Sequence, residues 1–205
     1  VVLPFLDPDR MLLELVARPA GNDSAPWEGG GIPLDHAIRG FDSVTLWEKD
    51  LSSSLDLLTS TMGFKLVGEE GPRIRLQASQ EGAGAVVDLF HLPKQDRGRA
   101  GAGTVHHVAR RTPNDSEQLA WRLVVANLGL RVTPVVDRQY FRSIYFREPG
   151  GVLFEIATDP PGMDWDEPVE DLGTRLRLPS WLEPQRATVE AALPTLMLPG
   201  TGHDG

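Results

Sequence analysis

The chain has no cysteine among its 205 residues, so its fold owes nothing to disulfides. It has no apolar run long enough to span a bilayer and no signal-peptide pattern, which makes the cytoplasm the expected compartment. Nor is there an excess of basic charge: 20 Lys and Arg stand against 29 Asp and Glu, a net charge of −9. Nucleic acid or an anionic membrane would be repelled by such a surface, which leaves small molecules as the expected partners. What is present is ordinary for a globular protein. Hydrophobic residues make up 40%, enough over this length to bury a sizeable core in one large domain or two small ones.

Internal repetition is the main organisational signal. The opening segment Phe5 to Ala17 aligns without gaps against Phe146 to Thr158, so residues 1–18 read as the last hairpin of a preceding module, most of which is expected to lie outside this sequence. Gly, Pro and Ser then mark a linker over 19–36. Two units of the same order follow. Over 37–95 the pattern predicts a strand Gly40 to Trp47, a helix Ser52 to Met62 and strands Lys65 to Gly68, Arg73 to Ala78 and Ala85 to Leu92. Over 101–163 it predicts a strand Thr104 to Arg111, a helix Asp115 to Asn127 with Leu119, Leu123, Val124 and Leu128 at helical spacing, and strands near Val132 to Asp137, Ser143 to Arg147 and Val152 to Thr158. Ser52 to Ser54 and Asn114 to Ser116 offer helix caps, and Gly63 and Gly129 sit where helices stop. Both units read βαβββ, an α+β class. Residues 164–205 form a Pro-rich and acidic tail with one short helix, Glu183 to Leu193.

Two of the predicted strands each carry a metal-type ligand. His107 lies in Thr104 to Ala109, and Glu155 lies in Gly151 to Thr158. A facial iron site takes two imidazoles and one carboxylate, and these segments supply one of each. On a strand the adjacent His106 and His107 would face opposite sides, so one at most enters a given cavity. Glu155 shares its face with Leu153 and Ala157, a dry setting for a carboxylate unless a cation is near. A three-residue connection, Pro149 to Gly151, would pair Glu148 with Val152 and place Tyr145 across from Glu155. Arg138, in the loop entering that hairpin, could orient an anionic substrate oxygen. A satisfied buried histidine, a solvent-facing glutamate, a tyrosine that only packs and a solvated arginine are the plain alternatives. His36, His91 and His203 offer no obvious third ligand. In the first unit, Ser43 falls opposite His107 and Asp88 opposite Glu155.

With these residues in hand, the chain resembles the vicinal oxygen chelate superfamily, and within it the ring-cleaving, hydroquinone-type dioxygenases. The most specific stretches are Gly103 to Ala109 and Asp137 to Gly162, with Leu178 to Leu196 resembling the family's C-terminal signature. The resemblance implies tandem βαβββ modules with curved mixed sheets. It also implies metal ligation by His107 and Glu155, substrate contacts from His106, Arg138 and Tyr145, and a remaining ligand from a His-His pair in a first module that this sequence does not contain. The implied metal is Fe(II), with Mn(II) as the alternative, and the implied substrates are a hydroquinone or catechol-like phenol and dioxygen. Two other readings stay open: a glyoxalase-type metal-dependent isomerase or lyase, and a metal-free small-molecule-binding module. An unpaired module exposes a sheet edge and an apolar face, so a homo-oligomer is expected.

Overall fold

The repeat seen in the sequence recurs as backbone register. In the computed structural model, which describes residues 1–17, 24–28, 31–79, 84–94, 98, 101 and 103–194, strands β1 (Val2–Leu6) and β2 (Leu12–Val16) pair antiparallel with Pro4 across from Glu14. The Asp7 N–H donates to the Met11 carbonyl, the Arg10 N–H to the Asp7 carbonyl, and the Met11 N–H to the Asp7 side chain. The aligned turn at Glu148 to Val152 makes the same three bonds. Arg10 therefore takes a left-handed φ of 68° where its counterpart Gly151 takes 102°, a region that glycine enters at lower cost than arginine.

The first unit runs β3 (Ser43–Glu48), α1 (Ser52–Asp56), β4 (Lys65–Glu70), β5 (Arg73–Gln77) and β6 (Val86–His91). The second runs β7 (Val108–Thr112), α2 (Asp115–Asn127), β8 (Val136–Asp137), β9 (Arg142–Arg147) and β10 (Leu153–Thr158). Their sheet orders, β3-β6-β5-β4 and β7-β10-β9-β8, are the same. In each sheet the first and last strands of the unit pair parallel and the remaining pairs are antiparallel. The fold is α+β, with tandem βαβββ units and mixed sheets. In the tail a short 3-10 turn at Glu183–Gln185 leads into α3 (Arg186–Ala192). Part of the 19–36 linker, residue 95, His203 and the last residues of the tail lie outside the described residues.

Several local expectations change. The strand expected from Thr104 begins only at Val108, so His106 and His107 precede it. The strand expected near Val132 reduces to one bridge, Val132 to Phe146, and the two residues of β8. Asn114 caps α2, its side chain accepting from the Glu117 N–H, but α1 is capped by Asp50 rather than by its own serines. Helix α2 also turns a different face to its sheet. Gln118 and Val125 are buried, whereas Leu119, Leu123, Val124 and Leu128 are exposed. Gln118 Nε2 donates to the carbonyls of Arg142 and Ile156 at 2.7 and 2.8 Å. Those two bonds anchor the helix rotation, because orphaned carbonyls there would cost more than an exposed leucine.

One apolar cluster serves both units, joining Leu46, Leu58, Leu76 and Leu89 of the first to Val125, Ile144, Phe146, Phe154 and Ile156 of the second. Period two along β9 and β10 sends Ile144, Phe146, Phe154 and Ile156 into this core and puts Ser143, Tyr145 and Glu155 on the opposite face. The units also meet at a carboxylate pair. Ser54 donates to Glu148 Oε2 at 2.5 Å, and Glu48, 3% exposed, lies against Gly150 with both of its oxygens lacking a hydrogen-bond partner among the described residues. Burial pushes the Glu48 carboxyl up to about 7. The Glu148 and Asp50 charges add to the rise.

This joint makes stability depend on pH. The native state keeps the Glu48 proton to about 7 while the unfolded chain loses it near 4.5. Its stabilisation is therefore complete below 4.5 and is lost as pH rises to about 7, a total of about 3 kcal/mol. Glu48→Gln, which cannot ionise, should flatten that fall in urea unfolding measured from pH 5 to 8. An unchanged slope would remove Glu48 as its source.

Candidate metal centre

Strand pairing brings the ligand-type residues together. The parallel β7–β10 pair sets Ala109 across from Glu155, so His107, two residues earlier, stands beside the same carboxylate. The β9–β10 hairpin sets Tyr145 directly across from Glu155, in the register expected from the turn. His107 Nε2 lies 2.7 Å from Glu155 Oε2. Tyr145 donates its hydroxyl to Glu155 Oε1 at 2.8 Å, and Arg138 Nε donates to the Tyr145 oxygen at 3.2 Å, its guanidinium 5.3 Å from the ring centroid.

The expectation that His106 and His107 point to opposite faces is overturned. Because neither is in a strand, the period-two rule does not govern them, and their Nδ1 atoms lie 2.9 Å apart with the rings edge to face. His107 is thus held at both nitrogens, Nε2 by Glu155 and Nδ1 by exposed His106. The expectation of an apolar surrounding for Glu155 is also incomplete. Its side chain is 4% exposed, but Ser143, fully buried, donates to Oε1 beside Tyr145. Ser143 was not singled out from sequence, although a period of two from Tyr145 already puts it on the same face.

The pair suits a cation in chemistry and spacing. Two donors about 2.1 Å from one ion and at right angles stand roughly 3 Å apart, close to the 2.7 Å between His107 Nε2 and Glu155 Oε2. Imidazole and carboxylate together suit first-row divalent ions. Among the described residues no set of three His, Asp or Glu side chains is arranged to hold a metal ion. Two clefts, of about 380 and 520 Å³, lie elsewhere and are not lined by His107 or Glu155.

The first unit carries the same positions with different chemistry. Asp88 occupies the place of Glu155, but Arg73 and Arg75 both bond it, Arg73 through Nη1 at 2.7 Å and Arg75 through Nε at 2.8 Å and Nη2 at 2.7 Å. Glu14, the β2 counterpart of Glu155, pairs with Arg73 at 3.0 Å and ties the opening hairpin to this cup. Gly103 at φ 77° packs against the Asp9 carbonyl, so the tip of that hairpin also abuts the segment leading to the histidines.

A family model described as "Glyoxalase/Bleomycin resistance protein/Dioxygenase superfamily" matches residues 40–156. The "Putative ring-cleaving dioxygenase MhqO" of Bacillus subtilis is 45% identical over 189 residues, 92% of this chain and 60% of that protein. The chlorohydroquinone/hydroquinone 1,2-dioxygenase of Sphingobium indicum is 32% identical over 88% of this chain and 57% of its own length. A crystal structure of a "putative dioxygenase" from Bacillus subtilis superposes with a TM-score of 0.87 at 43% identity, covering 96% of this chain and 62% of that one. The chain spans about three fifths of the length of the curated relatives it matches.

Proposed function

The chain belongs to the glyoxalase/bleomycin resistance protein/dioxygenase superfamily, and from that membership we propose that the whole protein is a metal-dependent ring-cleaving dioxygenase acting on hydroquinone or catechol-like phenols. The observation that carries this reading is the 2.7 Å approach of His107 Nε2 to Glu155 Oε2. The substrate class follows the names of the relatives, one of which is a chlorohydroquinone/hydroquinone dioxygenase.

In this reading His107 and Glu155 hold Fe(II), with Mn(II) as the alternative, and a ligand from another part of the whole protein completes the set. A bound iron(II) ion supplies Lewis acidity and the one-electron steps that dioxygen chemistry requires. The chain's own residues do the rest. His106 holds His107 Nδ1 and so fixes the direction in which Nε2 points. Arg138 and Tyr145 form a donor chain ending at Glu155, in which Tyr145 spends its proton on Oε1 and the Arg138 guanidinium would supply positive charge to a phenolate bound nearby. The burial of Glu155 keeps water from competing for its charge.

The test is bound metal together with oxygen uptake. Anaerobic loading with Fe(II) should leave iron on the protein, and hydroquinone should then consume dioxygen with ring opening. Absence of retained metal rejects the reading. Isomerisation of a thiohemiacetal without oxygen consumption would select a glyoxalase-type isomerase instead.

A further inference from the structure

Glu155 and Asp88 hold one register position in two sheets, and each accepts from two side chains of the neighbouring strand. Tyr145 and Arg75 are the cross-strand partners, and Ser143 and Arg73 stand two residues before them. All four donate to the carboxylate across from them. The layout is shared and the charge is not. Two guanidinium groups exceed the single charge of Asp88, and Glu14 takes up the surplus. Two hydroxyls bring no charge, so Glu155 keeps its own.

The hydroxyls also converge on one atom. Both donate to Oε1, and a carboxylate oxygen has two lone-pair sites. Oε1 is therefore filled, and only Oε2, facing His107, remains to meet a cation. Gripping a metal with both oxygens would break a hydroxyl bond in a site where Ser143 has no water to turn to, since it is 0% exposed.

We propose that Ser143 is a positioning residue that commits Glu155 to coordination through Oε2 alone, and that the uncharged Ser143–Tyr145 pair is what makes this cup a cation site while Arg73 and Arg75 close the other. The proposal rests on the metal-binding reading above and adds to it a geometry and a cause.

Mn(II) is the probe, titrated into the whole protein and followed by electron paramagnetic resonance. Ser143→Ala should weaken Mn(II) binding about 10- to 100-fold, the range for partners of metal ligands. It should also alter the zero-field splitting of the bound ion, a signature that general loosening of the fold would not move. Tyr145→Arg, at a partly exposed position, installs the first cup's guanidinium beside Glu155 and should abolish binding with both ligands intact. Urea midpoints of the metal-free variants check that each is folded. If the unaltered whole protein binds no Mn(II), the metal reading falls and this proposal with it. If it binds and Ser143→Ala matches it in affinity and spectrum, or Tyr145→Arg still binds, the proposal alone is overturned.

Discussion

Glu155→Gln should abolish metal retention while leaving the chain folded. The glutamine side chain has the shape of the carboxylate, so its oxygen can still accept from Ser143 and Tyr145, and its NH2 falls where Oε2 meets His107. What is lost is the negative charge, the only anionic ligand in the pair. The expected loss in Fe(II) affinity exceeds about 100-fold, the upper end for residues that merely support a ligand. Folding should change little in the metal-free protein, because Glu155 is buried beside two uncharged hydroxyls and one imidazole rather than a permanent cation. Metal analysis after gel filtration and a urea midpoint separate the two effects. Unchanged iron content would remove Glu155 from the ligand set, and a large fall in midpoint would make it a structural residue first.

The fold was legible where a period repeats and a turn has a signature. Alternation along Arg142 to Thr158 and the Pro149-Gly150-Gly151 connection fix the β9–β10 register, so the meeting of Tyr145 with Glu155 follows from local pattern. The gapless match of Phe5 to Ala17 with the same stretch carries the hairpin register with it, down to the turn hydrogen bonds. A strand period does not reach His106 and His107, because both precede the strand. Apolar spacing alone gives the wrong buried face of α2, because it leaves out the carbonyls that Gln118 satisfies. Ser143 carried no chemical signal of its own, since a serine in a strand becomes informative only once its neighbour across the ladder is known to be a buried carboxylate. Arg73 and Arg75 share a face by their spacing of two, and only the β5–β6 register puts both beside Asp88.

Asp88→Ala should lower stability by about 3 kcal/mol without touching the candidate metal centre. Removing one partner of a buried ion pair typically costs about 3–5 kcal/mol because the survivor is left desolvated. Here the lower end applies, since Arg73 and Arg75 are 24% and 27% exposed and can partly rehydrate, whereas Asp88 is 0% exposed. Glu14→Ala provides the contrast: its pair with Arg73 is 25% exposed, and its loss should cost less than about 1 kcal/mol. Burial pushes the Asp88 carboxyl up, but the bonds and charges of Arg75 and Arg73 outweigh that and hold it below 3.8. Its stabilisation is therefore present above 3.8 and lost as pH falls through the lowered native value. Glu48 works in the opposite sense, losing its contribution between 4.5 and about 7. Asp88→Ala should thus erase part of the acid limb of the stability profile and leave the alkaline limb, while Glu48→Gln does the reverse. Urea unfolding of both variants across pH 3 to 8 decides the matter. A loss below about 1 kcal/mol for Asp88→Ala would mean that the guanidinium groups recover their hydration in full, and the ion-pair cluster would then be an ornament of the first cup rather than its closure.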